Sequence, residues 1–198
     1  MSDLYLFCFY IILYYVIHSV LTTEYIKNKL DFRWYRFIYN IIAIVTLIPV
    51  VIILIKTSKE ANEIPSYIRI FGIIFLLLGL WVQKVSFDSF SKRVFWGLDI
   101  AKDEDLPLVI EGLYSTVRHP LYFGALLIIW GLVLISPTKY FFIFAIVSTI
   151  YIWVGSRLEE NKLIVYHPEY KEYRTKVPGI IPYRNPLRFF RNIIGIIN

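Results

Sequence analysis

Residues 37–55 read Phe-Ile-Tyr-Asn-Ile-Ile-Ala-Ile-Val-Thr-Leu-Ile-Pro-Val-Val-Ile-Ile-Leu-Ile. No charged side chain interrupts the run, and about 20 helical residues cross the roughly 30 Å hydrocarbon core of a bilayer. Pro49 is tolerated there as a kink, because a lipid-embedded helix keeps its remaining backbone hydrogen bonds. Four further apolar runs flank this one: Leu4 to Leu21, Ile68 to Val85, Leu121 to Ile135 and Tyr140 to Gly155. The first lacks a basic leader and a small-residue cleavage site, so it is expected to stay as a span. The last two look short for a bilayer. Ser136-Pro137-Thr138-Lys139 between them is a turn signal, which predicts a tight helical hairpin. The expected fold class is therefore all-α, an integral membrane bundle of about five transmembrane helices.

Composition agrees. Of 198 residues, 58% are hydrophobic, and the mean hydropathy is +0.60. Ordinary soluble domains carry about 45–50% apolar residues. The 16 Tyr and 5 Trp suit side chains anchored at a membrane interface. The net charge of +6 is carried at the ends of the apolar runs. Anionic lipid headgroups and topology explain it, and nucleic acid is not expected as a partner. The single cysteine, Cys8, excludes an intrachain disulfide and a Cys-based metal site. His18, His119 and His167 are scattered without metal spacing, so no metal is expected.

Orientation follows from Lys and Arg. With the N-terminus outside, segments 22–36, 84–120 and 156–198 face the cytoplasm and hold 17 of the 21 basic residues. Basic residues accumulate on the cytoplasmic side, so the expected localisation is multi-pass, N-terminus outside and C-terminus cytoplasmic. The polar surface then lies in the cytoplasm. Phe87, Phe90 and Val94, set among Lys92 and Arg93, are expected to lie in the interface plane. So are Leu187, Phe190, Ile194 and Ile197 of the basic tail.

Three stretches carry chemistry. In Gly112-Leu-Tyr114-Ser-Thr-Val-Arg118-His119-Pro120-Leu121-Tyr122-Phe-Gly124, Pro120 suits the first turn of a helix, with His119 as its N-cap. A helix start presents free N–H groups and a dipole that favour an anion, and Arg118 and His119 stand beside it. In Arg157-Leu-Glu159-Glu160-Asn-Lys-Leu163, two adjacent carboxylates end a membrane helix, where they cannot sit cheaply in lipid. One is expected to face inward and bind a ligand hydroxyl or ammonium. The third stretch, Tyr166-His167-Pro168-Glu169-Tyr170-Lys-Glu-Tyr173-Arg174-Thr-Lys-Val177-Pro178, reads as a surface helix stopped at Val177-Pro178.

Taken together, these stretches resemble the isoprenylcysteine carboxyl methyltransferase family, whose superfamily includes phospholipid N-methyltransferases and bacterial thiol S-methyltransferases. The resemblance covers roughly residues 68–182. His18-Ser19, Tyr35-Arg36 and Tyr39-Asn40 more loosely resemble the thiol-methylating branch. The resemblance implies an N-terminal transmembrane helical pair over 1–67 and a methyltransferase core over 68–198. It implies S-adenosyl-L-methionine as cofactor in a cytoplasmic pocket. It also implies a methyl acceptor that is a small molecule or lipidated, with a carboxylate, thiol or amine nucleophile. By motif, the cofactor residues are Pro107, Leu108, Val109, Ile110, Tyr114, His119, Pro120, Leu121, Tyr122 and Glu159. Arg157 is the family's substrate-linked arginine by proximity, two residues out of register, and Arg118 is a second candidate for holding an anionic acceptor. Glu159 is expected to accept from the cofactor's diol or to pair with its ammonium. Tyr114 and Tyr122 are expected on adenine or the sulfonium. The chain has no G-x-G-x-x-G after a strand, which excludes a Rossmann site. The competing readings are an NADPH-dependent membrane reductase of the sterol-reductase type and a non-catalytic membrane scaffold.

Overall fold

The computed structural model describes residues 2–29, 34–89 and 107–195. Among these there is no strand. The helices are α1 Ser2–Thr22, α2 Glu24–Lys29, α3 Tyr35–Thr57, α4 Ser66–Asp88, α5 Pro120–Ile135, α6 Lys139–Tyr166, α7 Tyr170–Lys176 and α8 Pro186–Ile193, with short 3-10 turns at Ser58–Glu60 and Gly112–Ser115. The interfacial reading of Phe90, Lys92, Arg93 and Val94 lies outside the described residues, as does Ile197.

Four helices, α1, α3, α4 and α6, are long and apolar enough to cross a membrane, while α5 is apolar but shorter, at 16 residues. Their outward faces carry exposed apolar side chains, among them Ile44, Ile48 and Ile52 on α3 and Ile70, Ile74 and Leu77 on α4. Water would penalise such a surface, and lipid does not. One expectation is corrected. The fifth apolar run is not a short span but the first part of the 28-residue α6, which at 1.5 Å per residue reaches roughly 42 Å. Charge begins at Arg157, yet the helix continues because Ser156 and Glu160 on its inner face are buried.

Helices α4 and α5 form the tightest seam. They run antiparallel with Gly72 opposite Gly131 and Gly79 opposite Gly124. A Cβ added at Gly72 would stand 2.8 Å from the Gly131 carbonyl oxygen, and one at Gly79 would stand 2.7 Å from that of Gly124. Between lipid-embedded helices, close backbone approach of this kind replaces the hydrophobic drive available in water. Gln83 fastens the same seam by donating to the Leu121 carbonyl at 2.8 Å.

Each end of the bundle has its own apolar cluster. At one end Phe7, Ile11, Val50, Leu54, Val133, Tyr140, Phe141 and Ala145 pack together. The hairpin turn lies there too, with Thr138 accepting from the Phe141 N–H as the N-cap of α6. At the other end Val82, Leu113, Val117, Phe189 and Ile193 pack together. This second cluster docks α8 on the bundle, with the Trp81 indole donating to the Ile193 carbonyl at 2.9 Å and Asn192 to that of Gly112 at 2.7 Å. Leu187, Phe190 and Ile194 of the tail stay exposed, as an interfacial face requires. The opposite face, Phe189 and Ile193, is buried instead.

Candidate functional site

The site sits where the start of α5, the polar end of α6 and the tail meet. Helix α5 begins at Pro120 with His119 as its N-cap residue, and the His119 side chain makes no capping bond. The preceding backbone is clamped instead. The Arg118 and His119 N–H groups donate to the carbonyls of Pro178 and Gly179 at 2.9 and 3.0 Å. The Val-Pro-Gly stretch, read from sequence only as a helix stop, thereby closes the tail over the head of α5.

At the centre lies Glu160, whose side chain is 2% exposed. Its Oε1 accepts from Arg118 Nε at 2.9 Å and Nη2 at 2.6 Å, and His119 Nε2 lies 3.0 Å away. Arg174 Nε approaches Oε2 at 3.2 Å as an ion pair, without hydrogen-bond geometry. Arg118 Nη1 donates to the carbonyls of Arg174 and Val177. Four of the five guanidinium donors are thus used inside the protein. A charge pair so far from water is sustained by this saturation of its hydrogen bonds.

The adjacent carboxylate is arranged differently. Glu159 is 47% exposed. Its Oε2 accepts from the Tyr122 hydroxyl at 2.8 Å and lies 3.7 Å from His119 Nδ1, and its Oε1 has no partner among the described residues. The rings of His119 and Tyr122 stack at 5.2 Å and 18°. His119 therefore bridges the two glutamates, one nitrogen toward each. The Tyr114 phenol is within electrostatic range of Glu159; burial pushes its pKa up, and the Glu159 charge adds to that. Burial also raises Tyr170 and Tyr173, so all three remain protonated phenols at neutral pH.

A model of the phospholipid methyltransferase family matches residues 67–167, just over half of the chain. The chain belongs to this family. Among its relatives, the methanethiol S-methyltransferase of Crocosphaera subtropica is 40% identical over 100 residues, covering 49% of this chain and 38% of the relative. That of Pseudomonas sp. (strain GM41(2012)) is 42% identical over 128 residues, covering 63% and 41%. The protein-S-isoprenylcysteine O-methyltransferase B of Arabidopsis thaliana is 30% identical over 128 residues, covering 60% and 61%. The chain thus spans about two fifths of the length of these methanethiol methyltransferases. No solved structure matches it significantly.

Within this membrane methyltransferase family member, the segment matched by the family model holds Arg118, His119, Tyr122, Glu159 and Glu160. The structure brings His119, Tyr122 and Glu159 together and sets Tyr114 beside them. Pro107 to Ile110 form the irregular strap that enters the Gly112–Ser115 turn, where Gly112 takes a positive φ of 58° that favours glycine. Pro120 is buried in the helix start, and Leu121 follows it in the first turn, its carbonyl engaged by Gln83. Two residues stand apart from the sequence reading. Arg118 is consumed by Glu160 and two carbonyls, a holding role in the fold and not a free grip for an acceptor. Arg157 is exposed, its guanidinium 5.7 Å over the Trp153 ring, away from the glutamate cluster. Sequence reasoning missed Glu160 as the inward carboxylate, and it missed Arg174 and Tyr173, read as surface. The Tyr173 hydroxyl donates to the Tyr114 carbonyl at 2.5 Å. No local pattern distinguishes these residues from a solvated helix.

Proposed function

We propose that the chain is an integral membrane S-adenosyl-L-methionine-dependent methyltransferase whose acceptor is a thiol or a carboxylate. The supporting observation is the half-open carboxylate of Glu159, fixed by Tyr122 and flanked by His119 and Tyr114. A donor set of this kind fits S-adenosyl-L-methionine. Glu159 Oε1 suits the ribose diol or the ammonium, and the Tyr114 and Tyr122 rings suit adenine or a cation. The first N–H groups of α5 at Leu121 and Tyr122 suit the carboxylate. Pro107, Leu108, Val109 and Ile110 would line the entrance as the strap before Tyr114. Bound there, the cofactor would supply a methyl group activated on a sulfonium. The protein's own part is to orient and to exclude water, worth up to about 7–11 kcal/mol as effective molarity. Membership of a methyltransferase family favours this reading over an NADPH reductase.

The distribution of basic residues supports an N-terminus outside, an orientation in which the site opens to the cytoplasm. Two measurements test the proposal. Purified protein in nanodiscs should bind radiolabelled S-adenosyl-L-methionine and not NADPH, and should pass label to a thiol or carboxylate acceptor. NADPH binding with no S-adenosyl-L-methionine binding overturns it. In cells carrying Cys8→Ser, an impermeant thiol reagent should label Glu60→Cys and spare Glu172→Cys. The opposite pattern reverses the orientation.

A further inference from the structure

A second polar cluster lies beside the first and takes no part in holding the tail. His18 is near the end of α1, Tyr39 near the start of α3, and Tyr122 in the first turn of α5. The chain's up-and-down course brings these ends together. The Tyr39 hydroxyl lies 2.9 Å from His18 Nε2 and 3.0 Å from Nδ1. The Tyr151 ring of α6 sets its edge against His18 at 5.8 Å and 70°, and its hydroxyl accepts from Ser19 at 3.2 Å. The phenol oxygen cannot lie along the in-plane direction of both nitrogens at once, so it engages one of them at a time, and His18 has no other hydrogen-bond partner among the described residues.

This cluster adjoins the cofactor candidate. Tyr122, which holds Glu159, stands in the first turn of α5, at the same end of the bundle as His18 and Tyr39. On α6, Tyr151, Gly155 and Glu159 follow at four-residue spacing and so share one face. A Cβ built at Gly155 meets nothing within 4 Å. The face of α6 between Tyr151 and Glu159 is therefore open at Gly155, a residue without a side chain.

We propose that His18, Tyr39 and Tyr151 form the acceptor site, that the acceptor is a small neutral thiol, and that His18 removes its proton. This inference rests on the methyltransferase reading above. The chemistry of the lining decides the class. A carboxylate acceptor needs a cation and an amine acceptor a carboxylate of its own, whereas the cluster's contacts among the described residues are phenols, a hydroxyl and an imidazole, with Glu159 assigned to the cofactor. A thiol is the nucleophile that such a set serves. Sulfur packs well on aromatic edges, and a neutral thiol must lose a proton before it is strongly nucleophilic. In that step the S–H bond breaks and an N–H bond forms on His18. The electron pair stays on the acceptor sulfur and would bond the methyl carbon as the donor's sulfonium–methyl bond breaks, the pair of that bond leaving on the donor sulfur as a neutral thioether. The imidazolium then returns its proton to water. Tyr39 acts as a positioning residue, holding the ring through the nitrogen not in use.

The test uses full-length protein in nanodiscs. His18→Gln should lower kcat/KM for methanethiol about 100-fold, the scale of general-base catalysis, while S-adenosyl-L-methionine affinity and melting temperature hold. An aromatic thiol, largely ionised at neutral pH, should lose less than about tenfold, since no base is needed for a thiolate. A structural role for His18 would depress both thiols alike. Binding is read without turnover, by saturation-transfer NMR of the methanethiol methyl group in donor-free protein. The signal should be present in the wild type and lost in Gly155→Val, which fills the space while the helix has room for it. Full methanethiol turnover by folded His18→Gln overturns the proposal, as does a binding signal undiminished in Gly155→Val. So does methylation of a prenylcysteine carboxylate with no turnover of thiols. If the wild type methylates nothing at all, the methyltransferase reading fails, and the NMR signal still decides whether a thiol binds here.

Discussion

Glu159 and Glu160 are neighbours in the chain and opposites in the fold. Glu160 points into the protein, where Arg118, His119 and Arg174 surround it. Glu159 points toward an open side, with one oxygen on Tyr122 and the other without a described partner. An identical pair of side chains thus meets two different environments. The Glu160 region ties α5, α6 and the tail into one body, and the Glu159 region stays half-exposed, as the proposed cofactor contact requires. A buried charge with saturated partners is a poor binding group, because a ligand would have to displace bonds that cannot be remade in a low-dielectric interior. A half-exposed carboxylate carries no such cost.

The largest effect should come from breaking the buried side of this pair. Glu160→Ala leaves Arg118 buried without its counter-charge, a loss of about 3–5 kcal/mol. Thermal unfolding in detergent should show a lower melting temperature and release of the tail to proteolysis near Val177. An unchanged melting temperature would mean that the knot does not hold the tail. Glu159→Gln should do the reverse. Stability should hold, while S-adenosyl-L-methionine affinity falls by about 1.5–3 kcal/mol, the scale of a hydrogen bond to a charged group. Equal losses of stability from both substitutions would mean that the two glutamates share one structural role.

His119 touches both regions and sharpens the comparison. His119→Ala removes a partner of Glu160 and the stacking surface of Tyr122 together, so a drop in melting temperature and a drop in cofactor affinity should accompany each other. Asn caps helices and donates hydrogen bonds, so His119→Asn should recover part of the stability and less of the affinity. Affinity unchanged in a folded His119→Ala protein would remove the residue from the cofactor site.

The smallest effects concern two glycines. Gly79→Ala should destabilise by about 1–3 kcal/mol, the usual range for overpacking, because the added methyl meets the Gly124 backbone in the α4–α5 seam. Gly155→Ala has open space and should move stability by no more than about 1 kcal/mol, toward stabilisation, since alanine is the better helix former. Paired unfolding curves check both, and similar losses at the two positions would mean that the space at Gly155 is not open.

Part of this arrangement was legible in the sequence. The spans follow from runs such as Phe37 to Ile55, because a lipid solvent demands apolar faces and internally satisfied backbone. The start of α5 was fixed by His119-Pro120, since proline lacks the N–H that an interior turn needs. The end of α6 was not legible. Its apolar run stops at Gly155, but the helix persists to Tyr166 because packing against Arg118 and the tail rewards it.

The same limit applies to the glutamates. The sequence by itself determined that two carboxylates stand at the end of a membrane helix, beside a helix start carrying Arg118 and His119. Which carboxylate turns inward was decided only by tertiary structure. Successive residues on a helix point about 100° apart, and the face that meets Arg118, 42 residues away, depends on how α6 is rotated against α5. That rotation is set by packing along the whole bundle and by the tail closing over Arg118. No pattern within Arg157 to Leu163 carries that information.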